Sequence, residues 1–73
     1  MADIAVGSEG AGVVARGAAI IGRRVAEGDE IVIVEAMKME LPVVAPASGT
    51  VAAILVAEGE MVSEGQAIAT LSR

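Results

Sequence analysis

An internal repeat constrains this chain more than any other feature, because the sequence falls into register with itself at a shift of 37 residues. Three segments match without a gap: residues 12–15 (GVVA) over 49–52 (GTVA), Gly22 over Gly59, and residues 27–28 over 64–65. Chance similarity in a chain rich in Gly, Ala and Val is the alternative, but glycines that match at three separate turn positions argue against it. The repeat predicts two similar halves, about residues 4–34 and 41–71, within one domain that spans residues 1–73.

Each half reads as four short strands separated by glycine-containing turns. The predicted strands are about 3–6, 12–19, 23–26 and 30–36 in the first half, and about 41–45, 50–56, 61–63 and 67–71 in the second. The abundant Val and Ile favour strands, and Gly suits tight turns because it accepts positive φ. The glycines recur too often for a helical bundle. The pattern therefore predicts an all-β protein, either a small sandwich or a flattened barrel.

Composition excludes several classes of function. The chain contains neither Cys nor His, which rules out disulfides, thiolate metal sites and Ser-His-Asp or Cys-His catalysis. Carboxylates alone are a weak set for a transition metal, so no metal site is expected. A net charge of −5 with scattered cations argues against nucleic acid as a partner. No apolar run approaches the roughly 20 residues of a membrane span and no signal peptide is visible, so no membrane partner and a cytoplasmic location are expected.

Lys38 is the only lysine of the chain and lies at the junction of the two halves. Its surroundings, residues 35–40 (EAMKME), have high helix propensity but are too few for an isolated helix between two β-type runs. Such a local conflict marks either a functional site or a tolerated surface turn with an ordinary lysine. The amine of Lys38 can be acylated, and an acylated lysine can carry a prosthetic group. The repeat places this residue at the pole opposite the chain ends.

Over nearly its whole length the sequence resembles the biotinyl domain of biotin carboxyl carrier proteins. The resemblance rests on the motif Glu35-Ala36-Met37-Lys38-Met39, followed by residues 45–46 (AP), Gly49, and the turns at 58–59 and 65–66. Two segments depart from the family pattern. Residues 8–11 (SEGA) replace a Pro-Met-Pro-like segment, and residues 21–23 (IGR) stand where the second half has EGE. No inserted loop lengthens either repeat.

The resemblance implies two four-stranded antiparallel sheets that pack as a flattened barrel, a barrel-sandwich hybrid with quasi-two-fold symmetry. It also implies that Lys38 lies on an exposed hairpin turn and is the biotin attachment residue. A biotin protein ligase would acylate its amine, a biotin carboxylase would load a carboxyl group, and a carboxyltransferase would receive it. The domain would be a non-catalytic carrier, with biotin as its covalent cofactor and acetyl-CoA or another acyl-CoA as the expected acceptor. Pyruvate, urea and oxaloacetate systems use similar carriers.

The resemblance also assigns roles to the residues around the lysine. It gives Met37 and Met39 to recognition around Lys38, and Glu35 and Ala36 to the motif read by the ligase. One alternative is a lipoyl carrier of a 2-oxo acid dehydrogenase complex, although lipoyl domains usually have Asp before the lysine and Ala or Val after it. Another is an unmodified interaction module that has kept the hairpin.

Overall fold

Eight antiparallel strands form the fold in a computed structural model that describes residues 3–73. Residues 1 and 2, which belong to the predicted domain, lie outside the described part. The strands are β1 (Asp3–Gly7), β2 (Gly12–Gly17), β3 (Arg24–Val25), β4 (Glu30–Ala36), β5 (Met39–Val44), β6 (Gly49–Ile54), β7 (Met61–Val62) and β8 (Ala67–Ser72). The all-β prediction is confirmed.

The strands form two four-stranded sheets, one in the order β1-β8-β6-β3 and the other in the order β5-β4-β2-β7. Each half of the chain contributes two strands to each sheet. A strand therefore pairs mostly with strands of the other half, and neither half builds a sheet by itself. Because β4 lies between β5 and β2 in its sheet, the hairpin that carries Lys38 is anchored by neighbours on both sides of β4.

The quasi-two-fold repeat predicted from the sequence is confirmed in the turns as well as in the strands. Strands β2 and β6 begin and end 37 residues apart, as do β3 and β7. In the first half the N–H of Gly22 donates to the carbonyl of Val51 at 2.8 Å, and in the second the N–H of Gly59 donates to the carbonyl of Val14 at the same distance. The two glycines have φ angles of 91° and 88°. The turn at residues 21–23 thus keeps the common geometry despite its different sequence.

Aliphatic side chains fill the space between the sheets. The buried cluster consists of Val6, Val14, Ala19, Val25, Ile31, Val32, Val34, Val43, Ala45, Val51, Val62, Ile68, Ala69 and Leu71. Small and β-branched side chains allow two sheets to pack closely without aromatic residues. Ile33 is also buried, at 4% exposure, but lies outside this cluster. Its side chain lies on the outer face of β4, where Arg16 of β2 and Pro42 of β5 are its neighbours in register.

Strand β2 is shorter than the sequence predicted. It ends at Gly17 instead of continuing to residue 19, because the N–H groups of Ala18 and Ala19 both donate to the carbonyl of Ile31, at 2.9 and 3.1 Å. Two donors that converge on one acceptor bend the chain out of the ladder. Ala19 then turns into the core, where it is 8% exposed.

Candidate modification site at the β4–β5 hairpin

The hairpin turns in two residues, Met37 and Lys38, since β4 ends at Ala36 and β5 begins at Met39. Both turn residues have positive φ angles, 52° and 66°. Positive φ at both central positions is the signature of a type I′ turn, which Asn and Gly adopt easily. For Met and Lys the left-handed conformation costs about 1–2 kcal/mol per residue. Strain of this kind persists where the surroundings enforce it and is concentrated at functional sites.

The turn presents its side chains fully to solvent. Met37 is 94% exposed and Met39 is 62% exposed, and Lys38 is exposed between them. Within residues 3–73 the ammonium group of Lys38 makes no hydrogen bond or ion pair. A primary amine in this position is accessible to acylation, because an acyl carbon can approach it without displacing other side chains. The fold buries almost none of Met37 and only about a third of Met39, and exposed apolar side chains of this kind are typical of contact surfaces.

Strand register brings four further side chains into one row below the turn. Glu35 of β4 lies opposite Glu40 of β5 and also opposite Val13 of β2, which in turn pairs with Met61 of β7. Like charges directly opposite each other in a sheet repel, so the Glu35–Glu40 pair alone would weaken the base of the hairpin. Val13 and Met61 are 39% and 77% exposed, so this row also presents apolar side chains to solvent.

Arg16 relieves the repulsion at the base of the hairpin. Its guanidinium donates two hydrogen bonds to the carboxylate of Glu40, at 2.7 and 3.1 Å. These hydrogen bonds, together with the charge of Arg16, hold the pKa of Glu40 below its usual value, and the same pair raises the pKa of Arg16. Glu40 is therefore engaged by an intramolecular partner. Glu35 has no ion pair within residues 3–73, which leaves its carboxylate open to another protein.

Gly12 lets β2 approach the base of the hairpin closely. A Cβ atom at this position would lie 2.5 Å from the carbonyl oxygen of Glu35 and 2.7 Å from Cγ1 of Val34. Both distances are too short for a real side chain, so only glycine fits without a shift of β4. The hairpin is thus held from below by a contact that any larger residue would disrupt.

The family described as "Biotin-requiring enzyme" matches residues 2–71. The chain belongs to this biotin/lipoyl family. The biotin/lipoyl attachment protein of Bacillus subtilis (strain 168) is 43% identical over 51 residues, which are 70% of this chain and 70% of that protein. The biotin carboxyl carrier protein of Streptococcus mutans is 42% identical over 52 residues, 71% of this chain and 40% of that protein. The resemblance found in the sequence is confirmed.

Solved structures of the biotin/lipoyl family share the fold. Urea carboxylase from Kluyveromyces lactis matches with a TM-score of 0.94 at 36% identity, over 99% of this chain but only 6% of that chain. The lipoyl domain of the 2-oxoglutarate dehydrogenase complex from Azotobacter vinelandii matches with a TM-score of 0.70 at 32% identity, over 86% of this chain and 80% of that chain. The two-sheet barrel predicted by the resemblance is confirmed. The urea carboxylase and the lipoyl domain both share this fold with the chain.

In this family member the structure brings together all five motif residues predicted from the sequence. Glu35 and Ala36 end β4, Met39 begins β5, and Met37 and Lys38 form the turn. Sequence reasoning missed the roles of Arg16, Val13 and Met61, which lie on other strands. The local sequence around these three residues contains no motif that predicts a role, because only strand register brings them to the hairpin.

Other site chemistries find little support in the described part of the chain. Residues 3–73 hold no group of three or more Asp and Glu side chains placed to bind a metal ion. The same residues include no helix of the length and hydropathy that a membrane crossing requires. Every buried side-chain nitrogen or oxygen among them has a hydrogen-bond partner.

Proposed function

We propose that this chain is the biotin carrier of a biotin-dependent carboxylase, with biotin attached through an amide bond to Lys38. The observation that carries the proposal is the unhindered Lys38 amine on a strained two-residue turn, flanked by two exposed methionines. Membership of the biotin/lipoyl family and the similarity to a biotin carboxyl carrier protein support the chemical class.

Attachment is a single acyl transfer to this side chain. The deprotonated Nζ of Lys38 attacks the acyl carbon of biotinyl-adenylate held by a biotin protein ligase, the amide bond forms, AMP leaves, and the proton passes to solvent or to a base of the ligase. Exposed Glu35 and half-buried Ala36 at the end of β4 are the surface that the ligase reads, with Met37 and Met39 beside the nucleophile. Glu40 is less available for this contact because Arg16 holds it.

The protein acts afterwards as a tether and not as an enzyme. Biotin, when bound, supplies a ureido nitrogen that accepts a carboxyl group in one active site and releases it in another. The chain keeps this group at high effective concentration for both a biotin carboxylase and a carboxyltransferase. A rigid barrel with its attachment residue at one pole lets both partners approach the arm without contacting the rest of the fold.

The proposal also specifies the class of substrate that accepts the carboxyl group. We assign the carrier to an acetyl-CoA or other acyl-CoA carboxylase on the resemblance of its motif, and the similarity to a urea carboxylase names the competing acceptor. Competition between acyl-CoA and urea as acceptors, with the purified carboxyltransferase partner, distinguishes the two. The cytoplasmic location stays a prediction.

A lipoyl carrier is the second candidate, because a lipoyl domain shares the fold with a TM-score of 0.70. Met37 and Met39 argue against it, since lipoyl domains usually have Asp before the lysine and Ala or Val after it. An unmodified interaction module is the third. An unmodified module would not explain why the chain keeps Met37 and Lys38 in a strained backbone conformation.

Radiolabelled bicarbonate tests the carrier function. Protein produced with a biotin ligase is incubated with a biotin carboxylase, ATP and labelled bicarbonate, and the label on the protein is counted. We expect radioactive label on the wild-type protein and none on Lys38→Arg, because arginine preserves the charge but has no amine to acylate. Equal labelling of the two proteins, or none on a wild type shown by mass to be biotinylated, would overturn the proposal.

A further inference from the structure

A cleft of about 450 Å³ lies beside the hairpin, between the β1–β2 loop and the edge strand β5. Its floor is formed by the core side chains of Val34 and Val43, and its rim by Leu41 and Val44, which are 37% and 38% exposed. Cavities of this size accept small organic ligands, and an apolar lining with a few polar groups is typical of such sites.

The loop that forms the other wall is braced from within. Ser8 is 4% exposed, and its hydroxyl donates to the carbonyl of Gly10 at 2.6 Å. The N–H of Ser8 donates to the carbonyl of Gln66, and the N–H of Gly65 donates to the carbonyl of Ser8, so the loop is fixed to the turn before β8. A wall held on both sides keeps the cleft open without a ligand.

The loop differs from its counterpart in the other half of the chain. Glu9 and Gly10 stand at the positions that Pro46 and Ala47 occupy in the second half. A Cβ added to Gly10 would find its nearest neighbour, Cδ1 of Leu41, at 3.8 Å, so the absent side chain leaves usable space. Glu9 lines the same cleft and offers a carboxylate that can accept an N–H donor.

The length of the biotinylated Lys38 side chain favours this cleft over the second cleft in the structure. Leu41 follows Lys38 by three residues along β5, or about 10 Å. A biotinyl group on Nζ extends about 14 Å from the Cα atom, from the number of single bonds in the arm. The second cleft, of about 320 Å³, is lined by Arg24 and Glu30 among others, and Glu30 lies eight residues from Lys38, or about 27 Å along β4. The arm cannot reach that far.

We propose that the cleft between the β1–β2 loop and β5 is a resting site for the acyl group on Lys38. The aliphatic chain and ring system pack against Leu41 beside Gly10, and one ureido N–H group donates to Glu9. The inference rests on the proposed function, because it takes biotin as the attached group. Resting in the cleft protects the arm from solvent between visits to partner enzymes, and a partner must compete with the cleft for it.

The test separates this inference from the assignment of Lys38 to a ligase. Because Lys38 is the only lysine, the biotinyl group can be attached chemically with an N-hydroxysuccinimide ester, whether or not a ligase recognises the protein. A Lys38→Arg sample labelled in the same way corrects for reaction at the α-amine of the chain. Amide signals of labelled and unlabelled protein are then compared by NMR.

Gly10→Val fills the cleft and is the informative variant. Gly10 has no positive φ and ordinary space around it, so the variant is expected to fold. Gly17→Val is the matched control, because a Cβ there meets nothing within 4 Å and lies away from the cleft. A second readout is the rate at which streptavidin captures the arm. If the arm rests in the cleft half of the time, this rate is about twofold higher in Gly10→Val than in wild type.

The expected result is a biotin-dependent shift of the signals of Gly10 and Leu41. Their counterparts in the other half, Ala47 and Ile4, should stay unchanged. The shift should vanish in Gly10→Val and persist in Gly17→Val. Labelled wild type without shifts at the cleft, or shifts and capture rates that are the same in Gly10→Val, would overturn the resting site while leaving the carrier function intact. Failure of a biotin ligase to modify Lys38 would instead contradict the proposed function, whatever the NMR result.

Discussion

Arg16 and Glu40 form a two-point ion pair that crosses β4 on the outer face of the sheet, although they are 24 residues apart in the chain. Arg16 lies opposite Ile33, which lies opposite Pro42, so these three side chains share that face. Arg16 and Pro42 flank Ile33 in the register of the sheet, and Ile33 is only 4% exposed. The pair therefore ties β2 to β5 across the strand that leads to the attachment residue.

The pair gives the fold a pH-dependent contribution with a definite sign. Because the pKa of Glu40 is lower in the folded protein than in the unfolded chain, ionised Glu40 stabilises the fold above the unfolded pKa. This stabilisation is lost as the pH falls through the folded pKa. In Arg16→Gln the pKa of Glu40 should return towards its usual value, as followed by carbon-detected NMR titration.

The difference in stability between wild type and Arg16→Gln should accordingly be present at neutral pH and disappear in acid. Arg23→Gln, which removes an arginine outside the pair, serves as the control for net charge. A pKa of Glu40 that is the same in wild type and Arg16→Gln would show that the ion pair does not persist in solution.

The turn sequence should be suboptimal for stability. Replacing Met37 and Lys38 with Asn and Gly supplies residues that adopt positive φ readily and relieves the strain of both positions. Relief at both positions amounts to about 2–4 kcal/mol, of which the backbone entropy of Gly offsets about 1 kcal/mol. We therefore expect the double variant to be more stable than wild type by about 1–3 kcal/mol, measured by urea denaturation. A loss of stability would mean that the turn side chains make contacts that outweigh their backbone strain.

Gly12→Ala should destabilise the protein by about 1–3 kcal/mol, the usual cost of overpacking, because its Cβ would collide with the backbone of Glu35. Gly49 is the counterpart in the second half, where a Cβ would lie 2.9 Å from the carbonyl oxygen of Ser72, so Gly49→Ala is expected to cost less. Amide signals of residues 35–38 should move in Gly12→Ala and stay in place in Gly49→Ala. Equal melting temperatures for wild type and Gly12→Ala would refute the close approach.

Replacing both Met37 and Met39 with Leu should leave biotinylation largely intact but slow carboxyl transfer. Leu retains apolar character but loses the flexibility with which an exposed Met adapts to different partner surfaces. Ligase rates and single-turnover transfer rates measured on the same preparation separate the two effects. Complete loss of biotinylation would assign the methionines to ligase recognition instead.

The repeat is the reason that so much of the fold follows from the sequence. Glycines in register at Gly22 and Gly59 predict equivalent turns, and the unbroken run of β-branched residues at 31–34 predicts the centre of β4. Propensity fails at the hairpin tip, where a helix-forming string adopts two positive φ angles because the paired strands on either side enforce the turn. The partnership of Arg16 with Glu40 and the cleft beside Gly10 depend on register and packing between distant segments, which no local pattern encodes.

The attachment of biotin to Lys38 can be read from the intact mass of the protein produced with an active biotin ligase and ample biotin. We expect the mass to increase by one biotinyl group, located on Lys38 by peptide mapping. Lys38→Arg should keep the unmodified mass and a melting curve that differs by less than about 0.5 kcal/mol, since exposed substitutions cost little. An unmodified wild type would contradict the account, and so would a lipoyl group on Lys38.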